Sequence, residues 1–432
     1  MISPVPPKVV RVLSKIREVG GAPYLVGGAV RDALLHRDAP IKDFDFEVYQ
    51  LSIDTLIDAL SRFGNVETVG RSFGVIKLFM ESSLDLDFAL PRRESKTGRG
   101  HRGFVVSSEP DMPKQEACAR RDFTINAMLM DPFSGEIIDF FGGRRDLSEG
   151  ILRHTSPHFK EDPLRPLRGM QFAARFNMTL HDETAKLCKS LIAEAKTLAH
   201  ERIFTEWEKW ALYGAYPSRG LAALVRMGWD ELFGKMAAWG DLDGDTWRRT
   251  LGAVDRAART AVEAALGRGD RLVLMLGALA HTLSSEDARH LLDRIGLPLQ
   301  YQTRLTALLS HRQRMSRLET VDIPDVLRLS VALKPESIRS LTRLLRNCDP
   351  ELTIGDRIED IASAQGVLDG PLLPLVTGRH LIAKGIPPGR EMGGLLRTVF
   401  DAQLAGTFSD ARGADRWLNE FLSSKATNRL TD

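Results

Sequence analysis

Two aspartates one residue apart, Asp43 and Asp45, lie in the run Lys42-Asp43-Phe44-Asp45-Phe46-Glu47-Val48-Tyr49, where acidic and apolar residues alternate. Period-two alternation is that of a strand with one buried face, so Asp43, Asp45 and Glu47 share one side and Phe44, Phe46 and Val48 the other. Carboxylates at that spacing are hard oxygen ligands of the kind taken by Mg²⁺ ions that bridge substrate phosphates. A solvated strand face is the plain alternative. What favours the ion is the stretch just upstream, where Ala22 to Val26 reads as a buried strand and Gly27-Gly28 turns it into a helix from about Ala29 to Leu35. Such a turn aims backbone N–H groups at an anion, and Arg31 adds a charged donor. A second alternating run, Leu84-Asp85-Leu86-Asp87-Phe88-Ala89-Leu90, offers a third carboxylate, with Asp87 favoured and Asp85 as the alternative.

Further along, the chemistry changes from phosphate and metal to hydrogen-bond reading. Pro91 to Arg102 reads as a basic, glycine-bearing loop carrying Arg92, Arg93, Lys96, Arg99 and Arg102, either anion-seeking or simply solvated. Ala117 to Met130 is expected to be a helix ended by Asp131-Pro132, on which Asp122 and Asn126, four apart, face one way beside Arg120 and Arg121. In Glu161-Asp162-Pro163-Leu164-Arg165, Asp162 is expected as the N-cap and Pro163 in the first turn of a helix whose one side carries Arg165, Arg168 and Arg175. An aspartate with an arginine three residues later also presents acceptor and donor to a base edge. His154 and His158 are four apart, but Ser156-Pro157 between them argues against a helical metal pair.

The elements that must position these groups are legible in outline. An amphipathic helix over Val9 to Val19, a helix from about Asp54 to Arg62, and strands at Val66 to Val69 and Val75 to Met80 surround the two acidic runs. From Leu180 onward the pattern is helical throughout. Arg339, Arg343 and Arg346 form a basic stripe that is either a solvated face or an RNA track, and the segment Gly378 to Arg390, with Lys384, is either a phosphate grip or an ordinary turn. At 432 residues, 43% hydrophobic and 27% charged, the chain is globular with room for several cores, and its net charge of +2 puts any nucleic-acid contact on local patches. Three scattered cysteines, Cys118, Cys188 and Cys348, match neither a zinc spacing nor a disulfide framework, which suits a reducing compartment. No leader and no apolar run of membrane length are read, so the expectation is a cytoplasmic protein without membrane association.

Taken together these motifs resemble the class II tRNA nucleotidyltransferase and poly(A) polymerase family, most of all the bacterial CCA-adding enzymes. The resemblance rests on Leu25-Val26-Gly27-Gly28-Ala29-Val30-Arg31-Asp32 with Asp43-Phe44-Asp45, on Arg120-Arg121-Asp122-Phe123-Thr124-Ile125-Asn126-Ala127-Met128, on Glu161-Asp162-Pro163-Leu164-Arg165, and on Glu201-Arg202 with Glu206. It implies an α+β chain: a polymerase β-like nucleotidyltransferase head with a mixed sheet at 1–140, then an all-α neck at 141–210, body at 211–350 and tail at 351–432.

It also implies roles. Asp43 and Asp45 would ligate two Mg²⁺ ions, and Asp87 would complete the catalytic set near the attacking oxygen. Gly27, Gly28 and Arg31 would hold a triphosphate. Asp122, with Arg121 and Asn126 beside it, would read the ribose 2′-OH. Asp162 and Arg165, with Arg168 near them, would pair with the edge of CTP or ATP, so that side chains replace a template. The implied partners are the tRNA 3′ end, CTP and ATP, with no protein partner evident, and the basic loop would be the family's flexible loop. Phe44 and Phe46 stand where smaller aliphatics are expected, and His281-Thr282 lacks the histidine-aspartate pair that some relatives use for phosphohydrolysis. Alternatives are a poly(A), CC-only or A-only member, or a non-catalytic RNA-binding module on the same fold.

Overall fold

A computed structural model describes residues 5–35, 43–69, 75–80, 84–96, 104–234 and 244–428. Contacts cluster into two units, 1–232 and 233–432. The first opens with α1 (Pro7–Glu18), β1 (Ala22–Val26), α2 (Gly28–Leu35), β2 (Phe44–Tyr49), α3 (Ile53–Leu60), β3 (Asn65–Val69), β4 (Val75–Met80) and β5 (Leu84–Ala89). It continues with β6 (Arg92–Lys96), β7 (Phe104–Ser108), α4 (Lys114–Ala119), β8 (Leu129–Met130), β9 (Ile137–Ile138) and α5 (Gly143–Glu149). Helices then dominate, with a pair of two-residue strands, β10 (Ile151–Leu152) and β11 (Thr179–Leu180), among α6 (Arg165–Phe176), α7 (Asp182–Lys189), α8 (Ile192–Ala195), α9 (His200–Tyr213) and α10 (Pro217–Arg226).

The main sheet runs β3-β4-β5-β2-β1-β8-β9. It is mixed, because β2 and β5 pair in parallel while β1–β2, β4–β5 and β1–β8 are antiparallel. The apolar side of the period-two pattern forms the core: Phe44, Phe46 and Val48 pack with Leu86, Phe88, Ile76 and Leu78 and with Val9, Val12, Leu13 and Ile16 of α1. Phe46 stacks on Phe88 at 5.3 Å between ring centroids, so the bulky residues beside the acidic positions fill an aromatic layer. With that side buried, the opposite side of β2 and β5 must carry the aspartates.

Three local expectations change. The helix over Ala117 to Met130 stops at Ala119, Phe123 forms an isolated bridge to His154, and Thr124–Asn126 is a 3₁₀ turn. Phe123, Ile125, Ala127, Met128 and Leu129 are all fully buried, so no polar helix face exists here, and Leu129 is used instead as a strand partner of Val26. Asp162 is not the N-cap of α6. Leu164 occupies that position, while the Asp162 carboxylate accepts from the Leu164 N–H at 3.0 Å and turns the chain ahead of the helix. The loop expected at Pro91 to Arg102 contains a strand: Arg92–Lys96 pairs antiparallel with Phe104–Ser108, and Arg99 and Arg102 lie outside the described residues. Arg93 is bound to Glu109 at 3.2 Å and to Glu116 at 2.7 Å.

The described part of the second unit is helical, from Asp245–Glu263 to Ala411–Asn428. Arg312 joins its elements, bonding Asp349 through both oxygens and the His281 carbonyl at 2.8 Å. Burial pushes His281 down to about 4, so the ring is neutral. The basic stripe is largely spent within the unit, since Arg339 pairs with Asp369 and Arg346 with Asp356 and Glu359. Lys384 likewise pairs with Asp415 at 2.7 Å. Among the described residues no helix is long and apolar enough to cross a membrane.

Candidate active site

Strand register assembles the acidic centre. Asp45 and Asp87 are partners in the parallel β2–β5 pair, and Lys77 is the partner of Asp87 in the antiparallel β4–β5 pair, so Lys77, Asp87 and Asp45 form a row across three strands. Lys77 Nζ donates to both oxygens of Asp87 at 2.9 Å. Partial burial, then the charge of Asp87, push the Asp45 carboxyl above the usual carboxylate range, and Asp43 adds to this. Asp43 itself is exposed at the entry to β2. Asp85 lies opposite Phe79, two pairs away from this row. Glu47, which shares the polar side of β2, instead accepts from the Tyr49 hydroxyl at 2.8 Å and pairs with Arg121 at 3.6 Å.

The donor set suits a hard divalent cation. It is all oxygen, and two carboxylates in adjacent register positions repel one another in a way that a cation relieves. Among the described residues no three His, Cys, Asp or Glu side chains converge into a closed metal cage.

The glycine turn stands beside this row. Gly27 has φ +67°, the left-handed region, and a Cβ there would sit 3.2 Å from Arg121 Nη1, so a side chain is disfavoured both by conformation and by the guanidinium behind it. Arg31, on the first turn of α2, is buried and cross-braced: its Nε donates to Asp32 at 2.8 Å, its Nη1 to Asn126 Oδ1 at 2.6 Å, and its guanidinium lies 4.3 Å from the Phe176 ring centroid. Burial lowers its pKa from the usual arginine value.

A cleft of about 530 Å³ opens between this turn and α6 and α9. Gly27, Gly28, Arg31, Asp45, Arg121, Asp122, Asn126, Asp162, Arg165 and Arg168 all line it, which brings together ten of the expected site residues; Asp43 and Asp87 are not on its wall. Seven cationic side chains face three anionic ones, a balance that favours a polyanionic ligand.

Asp122 is the structural hub of the wall. Its Oδ1 accepts from the Phe123 N–H at 2.8 Å and Asn126 Nδ2 at 3.0 Å, and its Oδ2 from Arg168 Nε at 2.8 Å and Nη2 at 2.7 Å. Burial would raise its pKa, but the Arg168 charge and these hydrogen bonds outweigh it and hold the carboxyl below the usual range. Four donors fill the lone-pair positions of a carboxylate. Asp122 and Asn126 do meet, through a hydrogen bond and not through helical spacing.

At the head of α6, Arg165 donates to the carbonyls of His158 at 2.8 Å and Arg120 at 2.6 Å, which fixes its fork while leaving further N–H groups. Asp162 is held by Arg202 from α9 at 3.0 Å. His154 and His158 do not converge on one point: His154 bonds Thr184, and His158 bonds Glu161.

Several contributors escaped the sequence reading. Lys77 was the lone cation in an apolar strand, a signal without a partner until the strands pair. Gln171 and Lys209 also line the cleft. Helical spacing holds their clue, since Gln171 follows Arg168 by three and Lys209 follows Arg202 by seven.

A family model described as the poly A polymerase head domain matches residues 23–153. The multifunctional CCA protein of Haemophilus ducreyi is 36% identical over 310 residues, covering 68% of this chain and 71% of that protein. That of Nitrosococcus oceani is 43% identical over 198 residues, 45% of this chain, so the match spans only 46% of that relative's length. Among solved structures, the Thermotoga maritima CCA-adding enzyme complexed with tRNA has the same fold, with a TM-score of 0.69 at 23% identity and coverage of 97% of this chain and 96% of that one.

Proposed function

The chain belongs to the tRNA nucleotidyltransferase and poly(A) polymerase family, and from that premise we propose that it adds CCA to the 3′ end of tRNA from CTP and ATP without a nucleic-acid template, releasing pyrophosphate. One observation carries the reading: Asp45, the glycine turn, a cationic wall and the Asp162/Arg165 pair all face a single cleft. A phosphate site alone serves many enzymes, whereas a phosphate site with a fixed donor–acceptor pair serves one that chooses among bases.

The chain's own groups divide the work. Arg31, Arg121 and Lys209 place positive charge along the cleft, where a triphosphate is neutralised and held in line for attack by the RNA 3′ oxygen on the α-phosphorus. The O–P bond to that oxygen forms as the bond to pyrophosphate breaks. Two Mg²⁺ ions, held on Asp43 and Asp45 with Asp87 beside them, would supply further charge neutralisation and acidify the 3′-OH. Lys77, bonded to both carboxylate oxygens, keeps Asp87 aimed along the row. Asp162 offers acceptors and Arg165 donors to the base, and their bonds to Arg202 and to backbone carbonyls make that reader rigid. Asp122, with its lone pairs occupied, acts on the ligand through Arg168 and Asn126 and so is a positioning residue.

The direct test incubates the protein with tRNA lacking its terminal CCA, Mg²⁺, and CTP and ATP separately and together, followed by sequencing of the 3′ ends. CCA and nothing longer is expected with both nucleotides. Unlimited A tails, or addition of only CC or only A, would assign the chain to another branch of the family. Within the same assay, Asp162→Ala is expected to lower the preference for CTP and ATP over UTP and GTP by about tenfold or more, since a base-edge acceptor is lost. Binding of tRNA, measured by filter retention, should change far less, because phosphate contacts remain. Equal losses in preference and in RNA binding would count against a base-reading role.

A further inference from the structure

The cleft wall holds one amide oxygen to which no described residue donates. Gln171 lines the cleft and is 1% exposed, yet its Oε1 has no hydrogen-bond partner among the described residues. Buried side-chain polar groups are normally satisfied, and one left open in a cleft marks a place where a ligand supplies the missing partner. The other uncharged amide on the wall is already committed at both ends: Asn126 accepts from Arg31 and donates to Asp122. The Asp122 carboxylate, to which the family resemblance gives the ribose contact, has four protein donors.

Position along α6 indicates which part of a nucleotide reaches Gln171. The base-reading pair stands at the start of the helix, and Gln171 lies six residues beyond Arg165, about 9 Å along the axis. One turn further is Arg175, close enough to Arg31 to repel its charge, and Arg31 in turn stands 3.3 Å from where a Cβ on Gly28 would be. On the nucleotide-binding reading above, the helix runs from the base end of the cleft towards its phosphate end, with Gln171 between them, where a ribose would lie. Phosphate oxygens carry no proton for Oε1 to accept. The ribose hydroxyls do.

We propose that Gln171 is a specificity-determining residue whose side-chain amide accepts a hydrogen bond from a ribose hydroxyl of the bound nucleoside triphosphate. The proposal rests on the nucleotide-binding reading above. It gives the sugar-selecting acceptor to α6 and leaves Asp122 the task of holding Arg168 in place.

The test measures equilibrium binding of CTP, 2′-deoxy-CTP and 3′-deoxy-CTP to the full chain with Mg²⁺ by titration calorimetry. The proteins compared are the unaltered one, Gln171→Leu, and Gln171→Met as a second apolar variant of greater flexibility. Thermal melts confirm that each variant is folded. The unaltered protein is expected to bind CTP about tenfold more tightly than the analogue lacking the recognised hydroxyl, the scale of one neutral hydrogen bond. Either variant should lose about that factor for CTP and none for that analogue, bringing the ratio near one, and the analogue concerned identifies the 2′- or the 3′-hydroxyl. An equal loss for all three ligands, or an unchanged ratio, overturns the assignment, since a purely packing role moves every affinity together. Failure of the unaltered protein to bind any of the three would instead overturn the nucleotide reading itself.

Discussion

Asp45→Asn is expected to lower nucleotide incorporation by about 10³-fold or more while leaving the protein at least as stable at neutral pH. The rate effect follows from the nature of phosphoryl transfer, in which a single cation placed on the transition-state charge is worth roughly 10³–10⁵ in rate, and Asp45 would act by holding such a cation. Asp45 is the one of the three aspartates that both lines the cleft and stands in register with another, Asp87. The stability effect follows from its proton affinity. Burial first, then Asp87, hold its carboxyl above the usual range, so the folded chain binds that proton more tightly than the unfolded chain does. Such a group opposes folding at pH values above its folded pKa, and the penalty fades as pH falls through it. Asparagine carries no charge and removes the penalty. Single-turnover quench experiments with saturating Mg²⁺ read the first effect and urea melts at pH 7 and pH 4 the second, with the variant's advantage shrinking at the lower pH. Turnover within tenfold of the unaltered protein would mean that Asp45 does not hold a Mg²⁺ on which the transfer depends.

Asp122→Ala should destabilise the first unit by about 3 kcal/mol and weaken CTP and ATP binding together. Removing one member of a buried ion pair costs about 3–5 kcal/mol, and the low end applies because Arg168 keeps a third of its surface in solvent. The loss spreads along defined bonds. Arg168 is released, Asn126 loses the acceptor that orients it, and Arg31, which donates to Asn126, loses its brace. Three cleft residues therefore move on one substitution. Denaturant midpoints at constant m-value measure the first consequence, and KM for each nucleotide the second. A variant of unchanged midpoint would show that the network is looser than its four hydrogen bonds imply. Because the carboxyl is held below its ordinary range in the fold, this contribution is present at neutral pH and disappears as pH falls through the folded pKa.

Much of the head was legible because its signals are local. Period-two alternation placed Phe44, Phe46 and Phe88 in the core and the aspartates opposite, and the structure agrees residue by residue. The Gly27-Gly28 turn was readable for the same reason, since a strand, two glycines and a helix are contiguous. The failures were of another kind. Around Asp122 nearly every apolar side chain is buried whatever the backbone does, so neither periodicity stands out and a short 3₁₀ turn passed for a helix. At Asp162 the carboxylate bonds a nearby N–H in either arrangement, and only the start of α6 at Arg165 separates a cap from the turn before it.

The sequence by itself determined which runs carry side chains of the types suited to a metal, to phosphates and to a base edge, because type and spacing within one element are local. Tertiary structure alone decided how they combine. Asp45 meets Asp87 only because β2 and β5 pair in parallel at that register, Lys77 meets Asp87 only through the antiparallel pairing of β4, and Asp122 meets an arginine 46 residues away only because α6 docks against it. Strand register and helix docking are set by the burial of whole faces, a property of the assembled core that no local run of residues contains.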